Sequence, residues 1–240
     1  MTKSQLWDEK ARKYPRYSAS MNAVQSGTFA FLNELGVDFG GKKLIDVGCG
    51  TGAWTLHLAQ KVRVVSALDS SKEMLAVLAE DALGLNLNNI ECINAAFQVF
   101  YENKPTPKYD IAFVSMSPAL HCAQDYDAFI ALAPTRIFIG WDEFRHSDFL
   151  TPIFQALGAK QKCFNDYDME RHLITMGVKY EKKVFCETRT DTKPREIAIE
   201  SAMWHLNMAE SFPTKDELAA FIDGDTVTET ITSRMKLLVF

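Results

Sequence analysis

A three-layer α/β/α sandwich around a mostly parallel sheet is the fold class this sequence predicts, on three observations. Short apolar runs ending in turn residues recur at 43–47, 62–68, 90–95, 109–115 and 136–141. Helical periodicity fills the intervals between them, and the first run opens directly into a glycine-rich turn. Strands buried on both faces read as continuous apolar runs, and parallel neighbours need crossovers of about a dozen residues or more.

Each element has a local cause. Met21, Val24, Thr28, Phe31, Leu32 and Leu35 share one helical face after a Ser/Asn-rich start, and Gly36, Gly40 and Gly41 end that helix. The strand 43–47 follows, then a helix over 53–60, then the strand 62–68 stopping at Asp69, which completes a strand–helix–strand unit. Ser70 or Asp69 is placed to cap the next helix, with Glu73 in its first turn and Met74, Leu75, Leu78 and Ala79 on its apolar face. Met116, Ser117 and Pro118 close the fourth strand, and Pro134 precedes the fifth. Beyond 141 the pattern changes to helices near 148–157 and 167–176, an alternating strand over 179–188 and a helical block over 195–221. The apolar run 235–240 ends a closing strand over 226–240 and brings the expected sheet to seven strands, with the helical block as a lid.

At 240 residues with 47% hydrophobic side chains, one domain spanning 1–240 is the expectation. Within it, 1–35 are cap helices, 42–141 a ligand-binding core and 142–225 helical insertions on the substrate side with a late strand. The net charge of −5 disfavours nucleic acid as a partner. Five scattered cysteines lack any zinc or redox spacing, so no metal is expected and reduced thiols in the cytoplasm fit. No apolar stretch resembles a signal peptide or a membrane span.

The turn Gly48-Cys49-Gly50-Thr51-Gly52 lies where a strand becomes a helix, so its backbone can turn tightly and admit a ligand. Amides at the start of the Ala53 helix are expected to attract an anionic ligand group. Asp69, at the end of the second strand, is placed to accept from both hydroxyls of a ribose. Gly48-x-Gly50-x-x-Ala53 also satisfies the looser dinucleotide pattern, which leaves a nicotinamide-dependent oxidoreductase as an alternative. Asp46 discriminates: an anion beside the turn opposes a pyrophosphate but suits a ligand carrying an ammonium and a sulfonium.

The segments LIDVGCGTG, ALDSSKEML and YDIAFVSMSPAL resemble successive motifs of the class I S-adenosylmethionine-dependent methyltransferases. The resemblance covers roughly residues 42 to 141 and implies a Rossmann-like domain with a reversed strand at its C-terminal edge. It implies S-adenosyl-L-methionine as cofactor, with Gly48, Cys49, Gly50 and Gly52 around the methionine moiety, Asp46 orienting it and Asp69 holding the ribose. Ser70 and Met74 would border the adenine, and Ser115 would also bind the cofactor. Where the family shows an acidic adenine contact, this chain reads Asn94-Ala95-Ala96-Phe97, which leaves the Asn94 carbonyl or the backbone at Ala96 and Phe97 to read the base. Trp7, Asp8, Tyr14 and Tyr17 are similar to the openings of small-molecule members. They either cover cofactor, with Tyr17 against it and Tyr14 toward substrate, or pack on the domain surface.

Methyl transfer from a sulfonium requires chiefly alignment in a water-poor pocket. A small-molecule acceptor is the expectation, with RNA, protein or cofactor binding without catalysis as alternatives. If the acceptor must lose a proton, His121 is the candidate base, since it follows the fourth strand's turn and an imidazole titrates near neutrality. Asp142, Arg145 and His146 follow the fifth strand and are candidates for binding a polar substrate. The acceptor atom and the oligomeric state are not legible.

Overall fold

A computed structural model describes residues 3–103, 109–143, 145–160 and 168–240. The chain divides into two compact units, one of residues 1–140, 166–183 and 236–240, the other of 141–165 and 184–235.

The first unit holds five parallel strands: β1 (Lys43–Val47), β2 (Val64–Asp69), β3 (Ile90–Asn94), β4 (Ile111–Ser115) and β5 (Thr135–Trp141). They run in the order β3-β2-β1-β4-β5, with Asp46 opposite Ala67 on one side and Phe113 on the other. Chain order reverses at β1 and β4, so their C-terminal ends bound a crevice where open α/β sheets bind ligands. The last residues of β8 (Thr226–Val239) lie in this unit, and Phe240 and Arg136 exchange backbone hydrogen bonds of 3.1 and 2.8 Å, an antiparallel pair beside β5. This is the mostly parallel Rossmann-like sheet with a reversed strand, flanked by helices.

The helices of this unit are α1 (Lys3–Lys10), α2 (Ala23–Glu34), α3 (Thr55–Ala59), α4 (Lys72–Gly84), α5 (Phe97–Asn103), α6 (Ala123–Ala131) and α8 (Met169–Met176), with a 3-10 turn at Ala11–Lys13. Two differ from expectation, α3 in its start and α4 in its cap. The helix after the glycine turn starts at Thr55, because the turn itself takes up the residues before it. α4 is capped by Ser71 rather than Ser70 or Asp69, since Asp69 still belongs to β2 and only the Ser71 hydroxyl reaches the Met74 amide, at 3.1 Å. α5 and α6 fill the intervals on either side of β4. Ile45, Val47, Ala112, Val114, Phe129 and Leu238 are buried together in the core of this unit. Within it, Lys236 is buried and held by Asp168 and Glu170 at 2.5 and 2.8 Å, which compensates its charge.

The N-terminal segment is tied to α4 along its length. Ser4 Oγ donates to the Ser70 carbonyl at 2.8 Å, Asp8 accepts from Ser71 Oγ at 2.6 Å, Arg12 meets Glu80 at 2.9 Å, and Arg16 pairs with Asp81.

The second unit contains β6 (His146–Ser147), α7 (Leu150–Ala156), the greater part of β7 (Glu181–Pro194), α9 (Arg195–Met208), α10 (Lys215–Ala219) and most of β8. The block expected over 195–221 is thus two helices, parted by a turn with Glu210 at φ +61°. The late strand runs past 188 to Pro194, where Thr190 and Thr192 meet Thr230 and Thr228 of β8 through their hydroxyls at 3.3 and 2.9 Å. β6 pairs antiparallel with β8 at His146 and Thr232. Leu150, Ile153, Phe154, Ala202, Leu206 and Leu218 form this unit's core.

Candidate functional site

The turn between β1 and α3 is built against β2. The Gly48 and Cys49 amides donate to the Leu68 carbonyl at 2.7 and 3.1 Å, the Gly50 amide to Asp69 Oδ2 at 2.9 Å, and the Gly52 amide to the Cys49 carbonyl at 3.1 Å. These amides are therefore committed within the protein, and α3 is only five residues long. The turn is thus held by its own backbone and by β2.

Gly48 has φ +69°, and a Cβ there would fall 1.8 Å from Ser117 Oγ and 2.7 Å from Ser117 Cβ. The turn after β4 thus closes onto the turn after β1. A left-handed backbone costs a side-chain-bearing residue about 1–2 kcal/mol, and overpacking costs about 1–3 more. Gly48→Ala is expected to destabilise the fold by about 3 kcal/mol. Chemical denaturation with unchanged stability would contradict this.

Asp69 occupies the end of β2 with both oxygens engaged, Oδ2 by Gly50 and Oδ1 by the Ser71 amide at 2.8 Å. Burial raises its pKa, and these amides partly offset the rise. Asp46 lies beneath the turn, 2% exposed, accepting from Thr55 Oγ1 at 2.6 Å. Burial pushes its carboxyl up to about 7, against the hydrogen bond from Thr55 and together with repulsion from Asp69.

At the ends of β1, β2 and β4 a cleft of about 380 Å³ opens, within the size range of small-ligand sites. Gly48, Cys49, Gly50, Asp69, Ser70, Met74, Ala96, Phe97 and Ser115 all line it, as do Tyr14 and His121. Asp46, Gly52 and Tyr17 do not. Asp46 supports the turn from below, and Gly52 has φ +86° and packs on Leu78. Tyr17 accepts from Gln60 at 3.2 Å and packs against His57 with centroids 4.7 Å apart and ring planes tilted by 49°. The Asn94 amide donates to the Asp69 carbonyl at 3.1 Å, which leaves Ala96, Phe97 and Gln98 facing the cleft at this corner. Asp142, Arg145 and His146 belong to the second unit and are not among the lining residues. Asp142 there pairs with Arg234 at 2.7 Å.

Trp54, Pro15 and Gln98 line the cleft without a signal in the sequence, and Trp7, named there with the N-terminal aromatics, lines it too. Trp54 and Pro15 close the cleft, and Thr51 donates to the Pro15 carbonyl at 2.6 Å, so the N-terminal segment forms part of the wall. Trp7 meets Tyr14 edge to face at 5.7 Å. At the opposite end, His121 Nδ1 stands 3.3 Å from Asp125 Oδ2, and Gln98 donates to Asp125 Oδ1 at 2.7 Å. Burial would raise the Asp125 pKa, but donors from the His121 amide, Gln98 and Cys122 outweigh it and hold the carboxyl below its ordinary value. Among the described residues no cluster of three His, Cys, Asp or Glu side chains is placed to hold a metal, and no helix is long and apolar enough to cross a membrane.

Residues 44–134 match a family described as a methyltransferase domain. An uncharacterised protein of Haemophilus influenzae is 26% identical over 163 residues, covering 67% of this chain and 58% of the relative. The chain therefore spans little more than half the length of that curated relative. A demethylmenaquinone methyltransferase of Oceanobacillus iheyensis is 34% identical over 77 residues, 30% of this chain and 32% of its own. Among solved structures, a putative methyltransferase from Bacillus halodurans superposes with a TM-score of 0.53 at 14% identity, covering 89% of this chain and 97% of that one.

Proposed function

We infer that this chain, a member of the class I S-adenosylmethionine-dependent methyltransferases, transfers the methyl group of S-adenosylmethionine to a small-molecule acceptor. The observation that carries this reading is the cleft, where turn residues 48–51, Asp69 and Met74 meet an aromatic wall of Trp7, Tyr14 and Trp54. The relative acting on demethylmenaquinone supports the same class of acceptor. Under this reading the whole chain, 1–240, serves one methyltransferase, and its free Cys49, Cys92, Cys122 and Cys186 suit a reducing cytoplasm.

The residues present fit the cofactor. A carboxylate offers about four lone-pair sites, so Asp69 keeps acceptors for ribose hydroxyls after taking the Gly50 and Ser71 amides. Met74 and Phe97 would flank the base, and the glycine turn leaves room for the methionine end. When bound, S-adenosylmethionine supplies an electrophilic methyl on a sulfonium. The aromatic wall excludes water and restricts the acceptor's approach, and such alignment carries most of the catalysis.

His121 is assigned as the base for an acceptor that must lose a proton. Asp125 holds Nδ1, which leaves Nε2 to take the proton, and Gln98 fixes Asp125 in turn. His121→Ala should lower kcat by about 10²-fold while leaving S-adenosylhomocysteine affinity unchanged. An unchanged kcat would remove His121 from the mechanism.

The acceptor class is tested by incubating the protein with methyl-labelled cofactor and separate metabolite, RNA and protein fractions. Label is expected in the metabolite pool. Label confined to RNA or protein would overturn the small-molecule reading.

A further inference from the structure

The second unit carries a strand whose outer edge meets no other strand among the described residues. β7 is paired with β8 alone, and every residue over 186–192 is exposed. An open edge presents a row of backbone donors and acceptors, which proteins commonly blunt with a short strand or with charges that repel a second edge. This one is 14 residues long, and its charges follow a different rule. Glu187, Arg189, Asp191 and Lys193 share one face, while Thr188, Thr190 and Thr192 share the other.

We propose that this edge pairs antiparallel with the same edge of a second copy, about a two-fold axis at Thr190. Arg189 then lies opposite Asp191 of the second copy, and by symmetry this contact occurs twice. On the other face Thr188 lies opposite Thr192, and Thr190 opposite its own counterpart. Opposite charges and threonine pairs are the cross-strand combinations that stabilise an antiparallel ladder. The two-fold makes the same patch serve both subunits.

Neighbouring registers do not match. Centring the axis on Arg189 sets Glu187 against Asp191, and centring it on Asp191 leaves Arg189 opposite Lys193, with no carboxylate to meet. Centring it on Thr188 pairs Glu187 with Arg189 but sets Thr190 against Cys186 and Asp191 against Phe185, which removes the Thr188–Thr192 pairs. In the Thr190 register Lys193 lies opposite Glu187, yet its ammonium is already held by Glu229 at 2.5 Å with the side chain 14% exposed. The pairing therefore rests on the backbone ladder, the two arginine–aspartate contacts and the threonines.

The test is sedimentation velocity of the full chain from about 1 to about 200 µM, the span in which small interfaces below about 1,200 Å² assemble. A monomer–dimer equilibrium is expected. Arg189→Asp should weaken the dimer at least about tenfold, because two aspartates then face each other across each contact. The exchange Arg189→Asp with Asp191→Arg should restore it. As a separate readout, Thr190→Cys in a Cys186→Ser background should cross-link across the axis under mild oxidation. A monomer throughout, a dimer indifferent to Arg189→Asp, or one that the exchange fails to restore would each overturn the proposal. Binding of S-adenosylhomocysteine should be the same in all variants, so a folding failure or a failure of the methyltransferase reading is seen separately.

Discussion

Replacing Asp69 with alanine should lower the affinity for S-adenosylhomocysteine by about a thousandfold. Hydrogen bonds to a charged acceptor contribute about 1.5–3 kcal/mol each, so two ribose hydroxyls account for about 3–6 kcal/mol. At about 1.4 kcal/mol per tenfold in affinity, that spans roughly 10² to 10⁴. The same carboxylate anchors the Gly50 amide, so the variant also loosens the turn that shapes the cleft. Isothermal titration measures the affinity, and a thermal melt of the free protein reports the loosening. A loss below tenfold would remove Asp69 from the ribose site.

Asp46 makes stability depend on pH in the opposite sense to a salt-bridged carboxylate. Its folded-state pKa, about 7, lies above the ordinary value of 3.8, so the folded protein binds the proton more tightly than the unfolded chain. The stabilisation is complete below about pH 4 and is lost as pH rises to about 7. A shift of about 3 units corresponds to about 4 kcal/mol over that window. Asp46→Asn keeps an acceptor for Thr55 and removes the titration. Its stability relative to the native chain should rise by several kcal/mol between about pH 4 and about pH 7, then level off. A constant difference across that range would show that Asp46 does not titrate there.

The strands of the first unit were legible because each is a contiguous apolar run between turns, a pattern fixed by burial on both faces. Gly48, Gly50 and Asp69 were legible because a strand, a tight turn and a second strand bring them together over a short stretch of chain. The rest depends on tertiary contacts. α6 begins at Cys122, an uncommon capping residue, and its start is organised by Asp125 from within the first turn. His121 and Asp125 stand four residues apart at that helix start, whereas Gln98 comes from α5, 27 residues before Asp125, and no spacing rule predicts its arrival. Residues 189–194 are too polar to read as a strand, yet β8 holds them extended through paired threonines. Position next to the turn also does not imply exposure to the cleft, as the burial of Asp46 beneath it illustrates.

The segment from Ser4 to Arg16 contributes Trp7, Tyr14 and Pro15 to the cleft wall while holding α4 through exposed ion pairs at Arg12 and Arg16. Such pairs contribute at most about 1 kcal/mol each and are screened by salt. Salt thus weakens part of what fastens the wall, beside the hydrogen bonds at Ser4, Asp8 and Pro15, which it screens less. On the proposed function, the dissociation rate of S-adenosylhomocysteine should climb with ionic strength, and a stopped-flow series in which it stays constant would contradict this.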